Sequence, residues 1–393
     1  MKIFIFAHAV RAGGGRATCT NILNALKKVD KENNYCMVVP DQPEYRALNL
    51  EHSRCNVHYY RRKFGDVGRL WFDWVTLKQM VRRYHPDVVW GMGNTGLISP
   101  TCPQAISVQH PHLVYDREIT GPSRNLRGQM LVFLLRRSFS RALSQTGVVF
   151  CQTTTMADRI RDLYGYRGNI VVTSKQMSTF ATSTTQGTPD RLSLINGRFT
   201  LFYVSRYYRH KGLEMLVEVM DRYRDELSDT VAVITIEAGQ HPAAARLLKK
   251  IERHGLKDRV INVGRLAPGE LAAYYGACDA LVMPTCLESF SGTYLEAMHF
   301  GLPILTSDLD FAREVCGDAA LYFDPWDAES IRNAILRLKN DPQLRRDLAA
   351  RGKTRLSTEF TRTWEDIART IKETLEQLVQ SERERASAAV ETR

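Results

Sequence analysis

The chain has 393 residues, 44% of them hydrophobic and 25% charged, with a formal net charge of +11. That length exceeds what one core usually fills and predicts two domains, and the composition excludes a collagenous, disordered or coiled-coil chain. Its eight cysteines are scattered without CxxC, finger or haem spacing, which argues against a disulfide frame or structural zinc site and fits a reducing compartment.

Charge is unevenly spread. Residues 1–180 hold 25 Lys/Arg against 12 Asp/Glu, a surplus of +13, whereas the remainder sums to −2. A basic half favours an anionic partner, be it a phosphorylated acceptor, an acidic leaflet or nucleic acid, or else serves solubility alone. The opening MKIFIFAHAV is too short an apolar run for a signal-peptide core, and no window reaches the ~20 apolar residues of a membrane span. The expectation is a cytoplasmic protein with room for peripheral contact at the inner membrane face.

In chain order, KIFIFAH predicts a first strand, residues 18–29 a helix, and CMVV, PDVVW, AISV and GVVFC further strands between amphipathic stretches. This alternation signals βα units and a parallel sheet. A Thr/Ser-rich interval over 178–197 reads as a linker. The rhythm then restarts with RFTLFYVS, a helix over 212–223, TVAVITIEAG, a helix over 243–254, RVINVG, ALVMP and LPILT. From Ala328 the pattern is helical, and a last amphipathic helix runs from Trp364 to about Gln380, before a charged tail expected to fray. Two doubly wound sheets place chemistry on the loops after their strands, in a cleft where the two carboxyl edges face each other.

Several such loops carry suitable residues. AHAVRAGGGRA puts Gly13, Gly14 and Gly15 between a strand and a helix, where bare backbone can approach a phosphate or simply turn tightly; the spacing is not GxGxxG. VSRYYRHKG places Arg206 and Lys211 after a strand, suited to a diphosphate or to solvent. In ESFSGTYLEAMHFGLP, Glu288 falls on a loop and Glu296 one turn into a helix starting near Ser291 or Gly292. The amides of Ser291, Gly292 and Thr293 would then be unpaired helix-start donors, with a hydroxyl-accepting carboxylate on either side. The bland alternative, acids complementing a helix start, needs only one carboxylate. Asp308 and Asp310 fit substrate contact or helix capping, with the cap favoured for at least one. RNLRGQMLVFLLRRSFSRAL, residues 124–143, has arginines flanking an apolar middle, suited to packing on the first sheet or resting on an anionic membrane.

Here the chain resembles a family. ESFSGTYLEAMHFGLPILTSDLDFAREVCGDAALYFDP is similar to the glutamate-x7-glutamate region of retaining glycosyltransferase family 4, and VSRYYRHKG, VGRLAPGELAAYYGACDALVMP and AGGGR resemble its other segments. The resemblance implies a GT-B fold of two Rossmann-like α/β domains facing across a cleft. The first would be an acceptor-binding domain over 1–181 with a helix over 364–381 packing back on it, followed by a linker over 182–197 and a nucleotide-sugar domain over 198–363. It implies that Glu296 holds the ribose, Arg206 and Lys211 the diphosphate and Glu288 the donor sugar. Ser289, Phe290, Ser291, Gly292 and Thr293 would meet sugar and phosphate, and Arg265 and Leu266 the base. Gly14 and Gly15 would close over the phosphates. A histidine contacting the donor sugar is offered by His110 and by His112. Ser291 stands where family members often carry glycine, and TSKQMS replaces their usual asparagine-glycine step.

The reaction so implied is transfer of a sugar, with retention, from a nucleoside-diphosphate sugar to a hydroxyl of a glycan or lipid-linked glycan, in cell-surface polysaccharide synthesis. It implies no cofactor and no metal, and nucleic acid is not expected because the motifs cluster after the strands of the neutral half. A sugar-nucleotide epimerase of the same architecture, and a non-enzymatic anion-binding protein, are the alternatives.

Overall fold

The computed structural model describes residues 1–62, 68–69, 71–115, 126–174, 195 and 197–391. The chain divides into two units: Met1–Lys175 with Arg362–Arg393, and Gln176–Thr361. Most of the expected linker, 182–194 and 196, lies outside the described residues.

Unit 1 is built on seven parallel strands: β1 (Lys2–Phe6), β2 (Asn34–Pro40), β3 (Cys55–Tyr60), β4 (Val88–Gly91), β5 (Gln104–Ser107), β6 (Val148–Cys151) and β7 (Asn169–Val172). They lie in the order β3-β2-β1-β4-β5-β6-β7. β4, β5 and β6 are buried at every position, because helices cover both faces of a parallel sheet and its inner strands therefore read as unbroken apolar runs. β3 escapes that signal: CNVHYY alternates at the sheet edge, with Asn56 and His58 exposed.

The first helix, Gly13–Val29, starts earlier than the sequence suggests. Its three glycines form its first turn instead of a loop before it. The last helix, Trp364–Glu391, packs against that first helix in one core, with Ile367, Ile371 and Leu375 meeting Ile22, Leu23 and Leu26. Lys28 bonds Glu365 at 2.8 Å, and Asn33 bonds Glu376 at 3.0 Å. The charged tail expected to fray continues this helix. Gln380 donates to Glu384 at 2.7 Å, and Arg383 to Asp87 at 2.6 Å, which extends the helix over β4's start.

Unit 2 holds six parallel strands: β8 (Phe199–Tyr203), β9 (Thr230–Ile234), β10 (Val260–Asn262), β11 (Ala280–Met283), β12 (Ile304–Ser307) and β13 (Ala320–Phe323). Their order is β10-β9-β8-β11-β12-β13. The chain runs outward from β8 in one direction and from β11 in the other, so the order reverses between these two neighbours. Such a switch point opens a crevice past the carboxyl ends of the strands. The helix Leu213–Arg222 buries Leu213, Leu216, Val217 and Met220 at helical spacing on this sheet.

Candidate functional site

The loops leaving β8 and β11 straddle the switch point and are tied together. Gly212 has a φ of 68°, and a Cβ there would lie 1.8 Å from the Pro284 carbonyl oxygen, so the chain needs glycine to bring the loops into contact. The His210 carbonyl accepts from the Cys286 amide at 2.7 Å and from Thr285 Oγ1 at 3.1 Å. This seam puts Lys211 against Glu288, and Lys211 Nζ donates to Glu288 Oε1. Thr285 Oγ1 lies 3.3 Å from the same oxygen, and the Lys211 carbonyl accepts from the Tyr203 hydroxyl at 3.3 Å. Glu288 is only 7% exposed, so its charge is held by this cation and hydroxyl rather than by water.

The helix Gly292–Phe300 begins just beyond, with Ser291 at its N-cap and Gly301 at φ 70° ending it. Ser291 makes no side-chain cap bond, and the first turn holds no acid. Among the described residues nothing accepts from the amides of Gly292 and Thr293, and a Cβ on Gly292 would meet open space. Open helix-start donors beside a lysine form a place for an anion. Ser289, Phe290 and Ser291 are buried, so their contribution toward a ligand is chiefly backbone.

Glu296, on the second turn, is half-buried. Tyr275 donates to Glu296 Oε2 at 2.8 Å, and the Tyr275 ring stacks on Phe300 with centroids 5.1 Å apart. Burial pushes the Glu296 carboxyl above the ordinary glutamate range, and the tyrosine bond offsets part of that rise. Arg206 is exposed on the β8 loop and makes no ion pair among the described residues. Arg265 and Leu266 lie on the loop after β10, just past Gly264 at φ 73°.

Other expected residues are elsewhere. In unit 1, Gly14 and Gly15 sit in the first turn of the Gly13–Val29 helix, and a Cβ on Gly15 would lie 3.2 Å from Gln109 Oε1. His110 caps the short helix Pro111–Val114, with its amide donating to Asn94 Oδ1 at 2.8 Å and its ring centroid 5.3 Å from that of His112. The capping expectation for Asp308 and Asp310 is corrected: Leu309 holds the N-cap of Asp310–Cys316. Asp308 instead takes a two-pronged bond from Arg313 at 2.7 and 2.9 Å, which draws its carboxylate away from the helix start. Residues 124–125 of the arginine-flanked segment fall outside the described residues, and the helix is Leu126–Leu143. Tyr275, Thr285 and Gly212 were not singled out by sequence, because a tyrosine in an apolar helix, a threonine after a strand and a single glycine carry no signal of chemistry.

Residues 188–355 match the model of the family described as Glycosyl transferases group 1. The Escherichia coli serotype-specific mannosyltransferase WbdA is 28% identical over 183 residues, 46% of this chain and 22% of that protein. The chain thus spans about a fifth of that curated relative's length. Sucrose-phosphate synthase from Thermosynechococcus elongatus has a TM-score of 0.75 at 18% identity, over 97% of this chain and 99% of the other. Anabaena HepE, solved with UDP and glucose, has a TM-score of 0.70 at 20% identity, over 96% and 100%. These likenesses show the fold, two parallel-sheet α/β units of the GT-B kind.

Proposed function

We propose that this chain, whose second unit carries a group 1 glycosyl transferase segment, moves a sugar from a nucleoside-diphosphate sugar to a hydroxyl of a glycan or lipid-linked glycan. One observation carries the reading: Lys211, paired to buried Glu288, stands at the switch point beside open amides of a helix start. When the donor bond breaks, negative charge builds on the diphosphate. Lys211, Arg206 and the amides of Gly292 and Thr293 stabilise it more in the transition state than in the ground state. Glu296 accepts from the ribose hydroxyls with its oxygen not taken by Tyr275, and Glu288 accepts from the donor sugar. Retention follows if the acceptor attacks from the leaving-group face and a phosphate oxygen takes its proton, since no nucleophile is assigned to the site. Gly14, Gly15, His110 or His112, Arg265 and Leu266 keep the roles the family resemblance gives them. The site works without metal or other cofactor.

Thermal unfolding with UDP, GDP, ADP and dTDP, and their sugars, tests the reading, because a ligand of the native state raises the midpoint as saturation grows. One nucleotide should raise it, and Glu296→Ala should remove the rise. A sugar epimerised at a ring carbon with no acceptor requirement would replace the transferase by the epimerase.

We further propose a role in cell-surface polysaccharide synthesis at the inner face of an anionic membrane, with unit 1 making a peripheral contact. Among the described residues no helix is long and apolar enough to cross a membrane. Met130, Phe133 and Leu134 are 58%, 49% and 54% exposed on the helix Leu126–Leu143, alongside exposed Arg137 and Arg141. Pelleting with anionic vesicles should weaken as salt rises. Absence of pelleting at every salt concentration would remove this contact.

A further inference from the structure

Unit 1 has a switch point of its own, between β1 and β4. Buried polar atoms without partners gather at the carboxyl ends of the neighbouring strands. His8, two residues past β1, is 2% exposed; its Nε2 lies 2.5 Å from Asp73 Oδ1, while its Nδ1 is buried with no hydrogen-bond partner. Arg11 on the same loop is half-buried, with Nη1 buried and without an acceptor. The Tyr60 hydroxyl, at the end of β3, is buried and unpartnered too, and its ring stands edge-on to His8 at 5.3 Å. Asp73, Arg62, Arg69 and Arg11 are the charges felt at that hydroxyl, which burial raises above the ordinary tyrosine range.

Neighbouring cations have carboxylates. Arg16 pairs with Glu44 at 2.5 Å, Arg46 and Arg61 share Asp41, and Arg69 lies 3.5 Å from Asp73. Arg11 makes no ion pair among the described residues. A half-buried guanidinium without a counter-charge, among orphaned polar atoms, is stabilised by an anion that also brings hydrogen bonds. In neutral His8, Nε2–H donates to Asp73 and Nδ1 is an acceptor, so the carboxylate fixes the imidazole to receive a hydroxyl.

We propose that His8 and Arg11 form an acceptor subsite for a sugar bearing an acidic group: Arg11 binds the phosphate or carboxylate, and His8, oriented by Asp73, accepts from an adjacent hydroxyl. The assignment rests on the transferase reading, which makes the second sugar the acceptor; the same anion chemistry would also suit the donor's diphosphate.

The test uses the full chain saturated with its preferred nucleoside diphosphate, titrated with inorganic phosphate and glucose 6-phosphate at constant ionic strength while the unfolding midpoint is followed. Both probes should raise the midpoint further. Arg11→Gln should need at least ten-fold more probe for the same rise while keeping its nucleotide response, which also reports that it is folded. Arg11→Lys should lie between the two, and His8→Gln should weaken glucose 6-phosphate more than phosphate. If nucleotide saturation abolishes the response to phosphate, Arg11 serves the donor and the acceptor subsite falls. If Arg11→Gln responds as wild type, the site itself falls. A nucleotide without effect on the midpoint would count against the transferase reading instead, and the phosphate response of the nucleotide-free chain would then decide whether Arg11 binds an anion at all.

Discussion

Lys211 donates to Glu288 across 77 residues of sequence, joining the loop after β8 to the loop after β11. Both groups are largely shielded from water, so removing either leaves a buried charge uncompensated. Lys211→Met or Glu288→Gln should each lower stability by about 3–5 kcal/mol, and the double variant by less than the sum. Denaturant titration of the four proteins gives the coupling. Additive losses would mean that the two charges do not interact in solution. On activity, Lys211→Met should reduce kcat by roughly 10²–10³, as expected when one charge-stabilising donor is lost.

Glu296 supplies a pH dependence whose sign follows from its environment. Its carboxyl titrates above the ordinary 4.5 because burial disfavours the charge. A ribose hydroxyl donates best to the ionised form. Nucleotide affinity should therefore be full above the raised pKa and fall as pH drops through it, starting at a pH higher than an ordinary glutamate would give. The same raised pKa means that stability declines as pH rises from the unfolded value through the folded one. Calorimetric titration from pH 8 down to 5 reads the binding, and Glu296→Gln should flatten the profile. Tyr275→Phe should push the inflection higher still, since it removes the bond that favours the carboxylate.

Gly212→Ala combines two penalties, a left-handed backbone and a Cβ 1.8 Å from the Pro284 carbonyl oxygen. The loops must separate to admit it. We expect a loss of at least about 2 kcal/mol and a fall in kcat of the size expected for Lys211→Met, because the lysine no longer reaches Glu288. A stable variant with unchanged kinetics would show that the seam does not position the lysine.

Ile371→Ala and Leu375→Ala, on the face of the last helix buried against Ile22 and Leu26, should each cost about 2–5 kcal/mol. Glu382→Ala, on the exposed part of that helix, should cost well under 1 kcal/mol. Chemical unfolding of the three variants separates a structural helix from a decorative one.

The sequence made the βα rhythm legible because buried parallel strands are unbroken apolar runs. β3 and β13 carry no such signal: both lie at sheet edges and neither is buried along its whole length, β3 alternating polar with apolar residues and β13 leaving Leu321 and Tyr322 half-buried. Glu288 on a loop and Glu296 on a helix could be placed from the strand ending before them and the glycine closing after them. The contact of Lys211 with Glu288 could not, since it depends on β8 and β11 being neighbours, a fact of topology rather than of pattern. The Asp308 bond to Arg313 overrode capping preference because a guanidinium fork five residues on offers two bonds where a cap offers one.

The return of Trp364–Glu391 to unit 1 means that unit 2 is, in chain order, an insertion within unit 1. During synthesis all thirteen strands of the described residues therefore leave the ribosome before the helix that covers Ile22 and Leu26 emerges, the six of unit 2 coming between the first sheet and that helix. Until then the nascent first sheet has an uncovered apolar flank that a chaperone could hold, while unit 2 can already complete its own core.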